Sequence, residues 1–305
     1  MTPCVLERFI LAITNIFTGF FVFLCSAPAM DKQAGRIKNA ASAIGTKTSP
    51  KTFFIVSARD SSLIARKVRE LEHLGYPYVI VCGDKTDLPN VVHRPPTGKY
   101  DAMNFGLQFV PPDIDVVAFN DVDTQIHNLE AALRAIKNDT VSLVFARVEV
   151  AEGPQLTFYM ILDPLRRRVP IAASGELMLI KKKDLMEIMP LRPCKAEDTY
   201  ILFRFLGAGK RAIFSQECYV TTNRTMKDKE EEDYKRRTVG GIYQALAMTR
   251  APLGVRFFYS LLPLASPLLL IMRRKGFYWM KGIVSGFVDY TRGDRSATWK
   301  PIGKS

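Results

Sequence analysis

Residues 116–124 read Val-Val-Ala-Phe-Asn-Asp-Val-Asp-Thr. Four apolar residues run directly into two aspartates spaced two apart. A short uncharged run bounded by polar residues predicts a buried strand over Val116–Phe119. That strand delivers Asp121 and Asp123 to its carboxyl end. In an extended segment, positions i and i+2 face the same side. Two carboxylates on one side suit a hard divalent ion, Mg2+ or Mn2+, that keeps water and grips a diphosphate. Taken alone, the motif also reads as a polar turn or a helix start capped by Asp or Thr.

Outward from this strand the chain alternates. Thr52–Ala58 and Tyr78–Cys82 are β-rich apolar runs. Ser61–Leu74 between them places Leu63, Ile64, Val68, Leu71 and Leu74 on one helical stripe. Helices are expected over Tyr100–Phe109 and Asn128–Lys137, strands over Ser142–Val150 and Glu176–Ile180, and a further helix from Lys183. The stretch after Val150 is rich in charge and proline. Strand–helix alternation with apolar strands predicts an α/β fold with a mostly parallel sheet and flanking helices. Ligands of such sheets sit at the carboxyl ends of the strands. Those ends carry Ala58-Arg59-Asp60, Asp84 and Asp121-Val122-Asp123.

The 305 residues carry a net charge of +13, with 48% hydrophobic and 24% charged residues. Such a composition excludes a disordered chain and a disulfide miniprotein. Residues 201–305 hold 19 Lys and Arg against 8 Asp and Glu. A basic third points to nucleic acid or to an anionic membrane surface. Nucleic-acid motifs are absent and apolar runs lie nearby, so the membrane surface is the expected partner. Five scattered cysteines without a C-x-x-C pair fit neither zinc nor a disulfide framework.

Phe9 to Met30 is uncharged over 22 residues, enough to cross a bilayer core of about 30 Å. Lys32, Arg36 and Lys38 follow it, which predicts a single-pass anchor over 1–30 with the body on the cytoplasmic side. A cleaved signal peptide is the competing reading. Residues 31–50 read as a linker, 51–250 as the catalytic body and 251–305 as a membrane-associated end. Within that end, Phe257–Met272 contains Pro263 and Pro267 and is flanked by cations. It predicts a broken re-entrant or interfacial hairpin, or else a core helix. Phe277, Met280, Val284, Phe287 and Val288 then fall at helical spacing, as in an interfacial amphipathic helix.

The ordered set of motifs resembles a family 2 glycosyltransferase of GT-A fold from about Phe53 to Gln244. Ile55–Asp60 is similar to the family's opening strand and P-A-R-N-like loop, with Ser57 in place of Pro and Asp60 in place of Asn. Asp84 matches the nucleoside-contacting acid. Gly98-Lys99-Tyr100-Asp101-Ala102-Met103-Asn104 resembles the G-K-x-x-A-L-N signature, and Asp121-Val122-Asp123 the D-x-D strand end. Ser174-Gly175-Glu176 sits at the acceptor-side loop, and Glu197-Asp198 resembles the E-D motif. Tyr234–Thr238 departs from the Q/R-x-x-R-W pattern by having Tyr234 and Thr238 at its ends. That departure weighs against polymer synthesis.

The resemblance implies inverting, metal-dependent transfer of a sugar from a UDP-sugar, or a GDP-sugar, donor. Asp198 is then the catalytic base, beside Glu197. Asp121 and Asp123 hold Mg2+ or Mn2+, with Asp123 as the direct ligand. Ala58, Arg59, Asp60, Asp84, Lys99, Asn104, Arg236, Arg237 and Gln244 bind the donor, and Ser174, Gly175 and Glu176 face the acceptor. One span cannot build an export channel, so the expected acceptor is a membrane lipid or polyprenyl phosphate at the cytoplasmic face. An oligomeric polysaccharide synthase and an inactive nucleotide-sugar-binding module are the alternatives.

Overall fold

Phe53 and Ile55 are buried on one side of a strand whose Phe54 and Val56 are buried on the other. Each strand at the centre of the sheet alternates in this way, so both faces must be covered. The computed structural model describes residues 49–150, 154–223 and 227–297. The expected anchor over 1–30, nearly all of the linker and the tail beyond 297 lie outside the described residues.

Eight strands form one sheet: β1 (Thr52–Ala58), β2 (Tyr78–Cys82), β3 (Val91–His93), β4 (Val116–Asp121), β5 (Thr124–His127), β6 (Val141–Val150), β7 (Leu177–Lys181) and β8 (Arg211–Thr222). Their order is β3-β2-β1-β4-β7-β6-β8-β5. The half from β3 to β4 is parallel, as the alternation predicts. Beyond β4 the sheet is mixed, which corrects the mostly parallel expectation. β7 runs antiparallel to both β4 and β6, and β5 antiparallel to β8. Local hydrophobic patterning marks a strand but carries no information on its direction.

Two helices cover one face. They are α1 (Ile64–Leu74) and α3 (Leu129–Ile136), which bury Ile64, Leu71, Leu129 and Leu133 against Phe54, Ile80, Ala118 and Leu179. Gly75 ends α1 at φ 73°, its N–H donating to Leu71 O and Glu72 O. This left-handed cap favours glycine, which has no Cβ to clash. The other face is covered by α2 (Lys99–Gly106), α6 (Glu197–Gly207) and α7 (Asp228–Met248). Each large side chain buried there contributes about 1.5–3 kcal/mol. The charged, proline-rich stretch contains an unexpected helix, α4 (Pro154–Arg168), which accommodates Pro164, whereas α5 (Lys182–Met186) follows β7 as the sequence predicts from Lys183.

The C-terminal end forms α8 (Leu253–Ala265), a 3-10 stretch (Ser266–Met272) and α9 (Arg273–Thr291). Leu253 is 84% exposed and Leu264 78% exposed. The face of α9 turned to the body is lined by Gly276, Trp279, Gly282, Ile283 and Gly286. A Cβ on Gly282 would lie 2.6 Å from Glu232 O, and one on Gly286 2.5 Å from Arg236 O. Glycine therefore lets α9 lie directly on α7, while Phe277 and Val284 of the expected apolar face stay exposed. Trp279 Nε1 donates to buried Glu231 Oε2 at 3.2 Å across this seam. Tyr259 of α8 points inward, and its hydroxyl donates to Ile171 O at 2.8 Å.

Candidate active site

The carboxyl ends of β1, β2 and β4 meet at one rim, as the sequence predicts for a parallel half-sheet. Arg59 and Asp60 are exposed beyond β1. Asp84 Oδ2 accepts the Ser61 N–H at 2.9 Å, tying the ends of β2 and β1 together. Gly83 allows that approach, since a Cβ there would lie 2.2 Å from Arg59 O. Asp121 closes β4, and its N–H donates to Glu176 O at the start of β7. Because β7 runs antiparallel to β4, the Gly175-Glu176 segment arrives at the same rim.

One correction concerns the aspartate pair. The strand ends at Asp121, and Val122-Asp123 form a turn into β5 rather than an extended run. The two carboxylates are therefore not carried on one face of a strand. Asp123 instead lines a cavity of about 710 Å³. Arg66, Arg147 and Arg167 border that cavity together with Val150, Leu156 and Met160, and Glu149 and Asp163 offset part of the charge.

Lys99, at the first position of α2, joins the two halves of the site. Its Nζ is 2.7 Å from Asp121 Oδ1, 3.3 Å from Glu197 Oε1 and 2.8 Å from Gly175 O. Burial works against its charge, but Asp121 and Glu197 more than reverse this, so its pKa is raised. Asp198 lies beside it. A Cβ on Gly175 would be 3.0 Å from Lys99 Nζ and 3.1 Å from Asp198 Oδ2. Glycine at 175 thus leaves the space between the Asp198 carboxylate and the Lys99 ammonium open. Burial first, then the neighbouring Glu197 and Glu176, push Asp198 up to about 7, with Lys99 opposing. Glu197 and Asp198 also open α6, where the helix dipole favours negative charge.

The structure brings together Lys99, Asp121, Gly175, Glu197 and Asp198. Other expected site residues are engaged elsewhere. Asn104 exchanges hydrogen bonds with the Leu191 backbone at 2.9 and 2.8 Å, a clamp between α2 and the segment before α6. Ser174 is buried, its Oγ donating to Ala146 O and accepting from Arg166. Arg236 forms a bidentate pair with Asp289 of α9, and Arg237 lies over the Tyr234 ring. Gln244 accepts from Lys195 N and donates to Asp294 O and Ser296 O. These five do structural work in this state, because charge and amide chemistry serve packing as readily as ligand binding. Sequence reasoning missed Lys67, Asn120 and Thr124, which lie behind the aspartate turn.

Among the described residues, no group of three or more His, Cys, Asp and Glu side chains is placed to hold a metal ion. The donor set still fits one kind of ion. Mg2+ and its analogues take one or two carboxylates and complete their shell with water and substrate phosphate, so no protein cage is needed. Asp121 at the strand end and Asp123 in the turn after it each offer one carboxylate of that kind.

No family model matches the sequence, and no curated protein matches it. Among solved structures, the chain is similar to the mannosyltransferase PcManGT from Pyrobaculum calidifontis in complex with GDP-Man and Mn2+. The TM-score is 0.65 at 16% identity, covering 95% of this chain and 99% of that one. The catalytic domain of Drosophila beta1,4-galactosyltransferase 7 gives a TM-score of 0.36 at 13% identity, covering 54% of this chain and 65% of that one. A197 from STIV gives 0.40 at 15% identity over 58% and 87%. The last two scores are too low to carry an argument. The first establishes the architecture: the chain has the α/β fold of that mannosyltransferase.

Proposed function

We propose that the protein is an inverting, metal-dependent glycosyltransferase. It moves a sugar from a nucleotide diphosphate sugar to a lipid or polyprenyl-phosphate acceptor at the cytoplasmic face of a membrane. The observation that carries this reading is Lys99, which bridges Asp121 on the strand-end side to Glu197 on the opposite side, with Asp198 beside it. A donor diphosphate and an acceptor hydroxyl would meet across that bridge.

In this mechanism Asp60 and Asp84 hold the nucleoside at the ends of β1 and β2. Asp121 and Asp123 would hold Mg2+ or Mn2+, and such an ion would supply charge compensation for the leaving group. With a hydroxyl acceptor, Asp198 accepts its proton as that oxygen bonds to the anomeric carbon and the carbon–phosphate oxygen bond breaks on the opposite side; a polyprenyl phosphate attacks through an ionised phosphate oxygen and gives up no proton. A pKa pushed up to about 7 makes Asp198 a stronger base than an ordinary carboxylate. UDP is the default donor nucleotide for the resemblance. The GDP-Man bound to the fold neighbour makes GDP the second to test.

The acceptor assignment rests on two surfaces. The cavity beside Asp123 pairs arginines with apolar walls, which suits an amphiphile with an anionic head. Leu253–Thr291 is the one helical stretch, among the described residues, long and apolar enough to cross a bilayer. Its second half is packed on α7, so we favour docking on the membrane surface over a span. Arg273, Arg274 and Lys275 would face anionic head groups, at about 1 kcal/mol each. The N-terminal anchor, the linker and the domain limits at 50 and 250 belong to this proposal.

The test is binding of UDP, GDP and other nucleotide diphosphates to the detergent-purified protein, with Mn2+ or Mg2+, beside Asp123→Ala. Selective binding that falls in the variant supports the reading and names the donor. A folded protein that binds none of them refutes it.

A further inference from the structure

Helix α1 covers the sheet with a stripe of Ile64, Lys67 and Leu71. Positions three and four apart share a helix face, so Lys67 sits at the centre of the core stripe. It is 1% exposed. A leucine or methionine would serve the packing there. A buried ammonium costs several kcal/mol unless it is paired and hydrogen-bonded, so its partners show what it is for.

Lys67 Nζ is 2.7 Å from Glu70 Oε2, 2.8 Å from Asn120 Oδ1 and 2.7 Å from Thr124 O. These contacts use all three ammonium donors. Apart from Glu70, every partner belongs to the β4–β5 turn, and Asn120 and Thr124 bracket Asp121–Asp123. The network closes on itself. Asn120 Nδ2 donates to Thr124 Oγ1 at 2.9 Å and to Glu176 O at 2.6 Å. Thr124 Oγ1 donates to Asp121 O at 2.8 Å, and Glu70 Oε1 accepts the Ile126 N–H at 2.6 Å. The same asparagine thus links the turn to the Gly175-Glu176 segment.

We infer that Lys67 is a positioning residue, which from inside the core holds the Asp121–Asp123 turn in register with the Gly175-Glu176 segment. Its relevance to donor binding rests on the function proposed above, but its hold on the turn does not. The site residues lie on the open rim, whereas Lys67 is buried behind it. It acts through Asn120 and Thr124.

The experiment uses Lys67→Met with Glu70→Gln, which removes both charges together and keeps the acceptor for Ile126 N–H. Two quantities are read on the full chain. The first is hydrogen–deuterium exchange of the 120–126 segment without ligand, expected to quicken at least about 10-fold while α3 and α6 are unchanged. The second is Mn2+-dependent affinity for the best-binding nucleotide diphosphate, expected to fall about 10–100-fold, as for residues that orient metal ligands. Unchanged exchange overturns the inference whatever the nucleotide result. Faster exchange with unchanged affinity overturns the role in the site. If the unmodified protein binds no nucleotide, the glycosyltransferase reading fails, and the exchange result alone decides whether Lys67 holds the turn. Should the double variant not fold, Thr124→Val cuts the network at its other end and must show the same local increase in exchange.

Discussion

The ammonium of Lys99 and the carboxylate of Asp121 lie 2.7 Å apart, joining the first turn of α2 to the last residue of β4. Lys99→Met should lower kcat/KM by about 10²–10³-fold, the usual cost of removing one preorganised charge from a site. Lys99 also holds the Asp198 pKa down. The acid limb of the pH–rate profile should therefore move to higher pH in the variant. A loss of rate with an unmoved limb would detach Lys99 from Asp198.

In the proposed mechanism Asp198 must be ionised to accept a proton. Activity of the unmodified protein should rise with pH through an apparent value of about 7. Asp198→Asn should cost about 10²–10⁴-fold in turnover and leave nucleotide binding intact. Stability should respond in the opposite sense. The folded state holds the Asp198 proton above its ordinary value of 3.8, so between that value and 7 the native state binds more protons than the unfolded chain. Stability from this group then falls as pH rises. Asp198→Asn should raise Tm at pH 8 and leave it nearly unchanged at pH 4, as scanning calorimetry would record.

The glycine seam between α7 and α9 predicts a stability defect without chemistry. A Cβ on Gly286 would meet Arg236 O at 2.5 Å, and backbone cannot move aside as a flexible side chain can. Gly286→Leu should destabilise the protein by about 1–3 kcal/mol through overpacking. Urea unfolding should show this as a lower midpoint. An unchanged midpoint would mean that α9 can leave α7 freely.

The membrane reading predicts contact at α8. A fluorophore attached through Leu264→Cys should be quenched by nitroxide-bearing lipids in proteoliposomes. One attached through Glu217→Cys, on an exposed part of β8, should not. Equal quenching at both positions, or none at Leu264, contradicts docking through α8.

The amino-acid sequence made some of this architecture plain and hid the rest for physical reasons. β1, β2 and β4 are short apolar runs ending in polar residues, and all three lie where their patterning puts them. β8 was not foreseen, because Arg211–Thr222 mixes Ser, Gln, Glu and Thr into a strand that is only partly buried. Strand direction was invisible beyond β4, since β7 is apolar whichever way it runs. In the site, Lys99 and Asp198 were legible from local motifs, whereas their meeting over Gly175 depends on the β4–β7 pairing. Lys67 was passed over because a lysine in an amphipathic helix is read as solvated. Its place between Ile64 and Leu71 on the buried stripe was the signal available.

Tyr259 reaches from the apolar helix α8 through the core to the backbone of Ile171, a few residues ahead of Gly175. The wall that would receive the acceptor is thereby bolted to the helix that lies against lipid in the proposed docking. A helix pressed into head groups at Leu264 could not rise or sink without dragging that wall along. The length of one tyrosine would then act as a depth gauge, setting how far above the bilayer surface a hydroxyl must stand to be glycosylated.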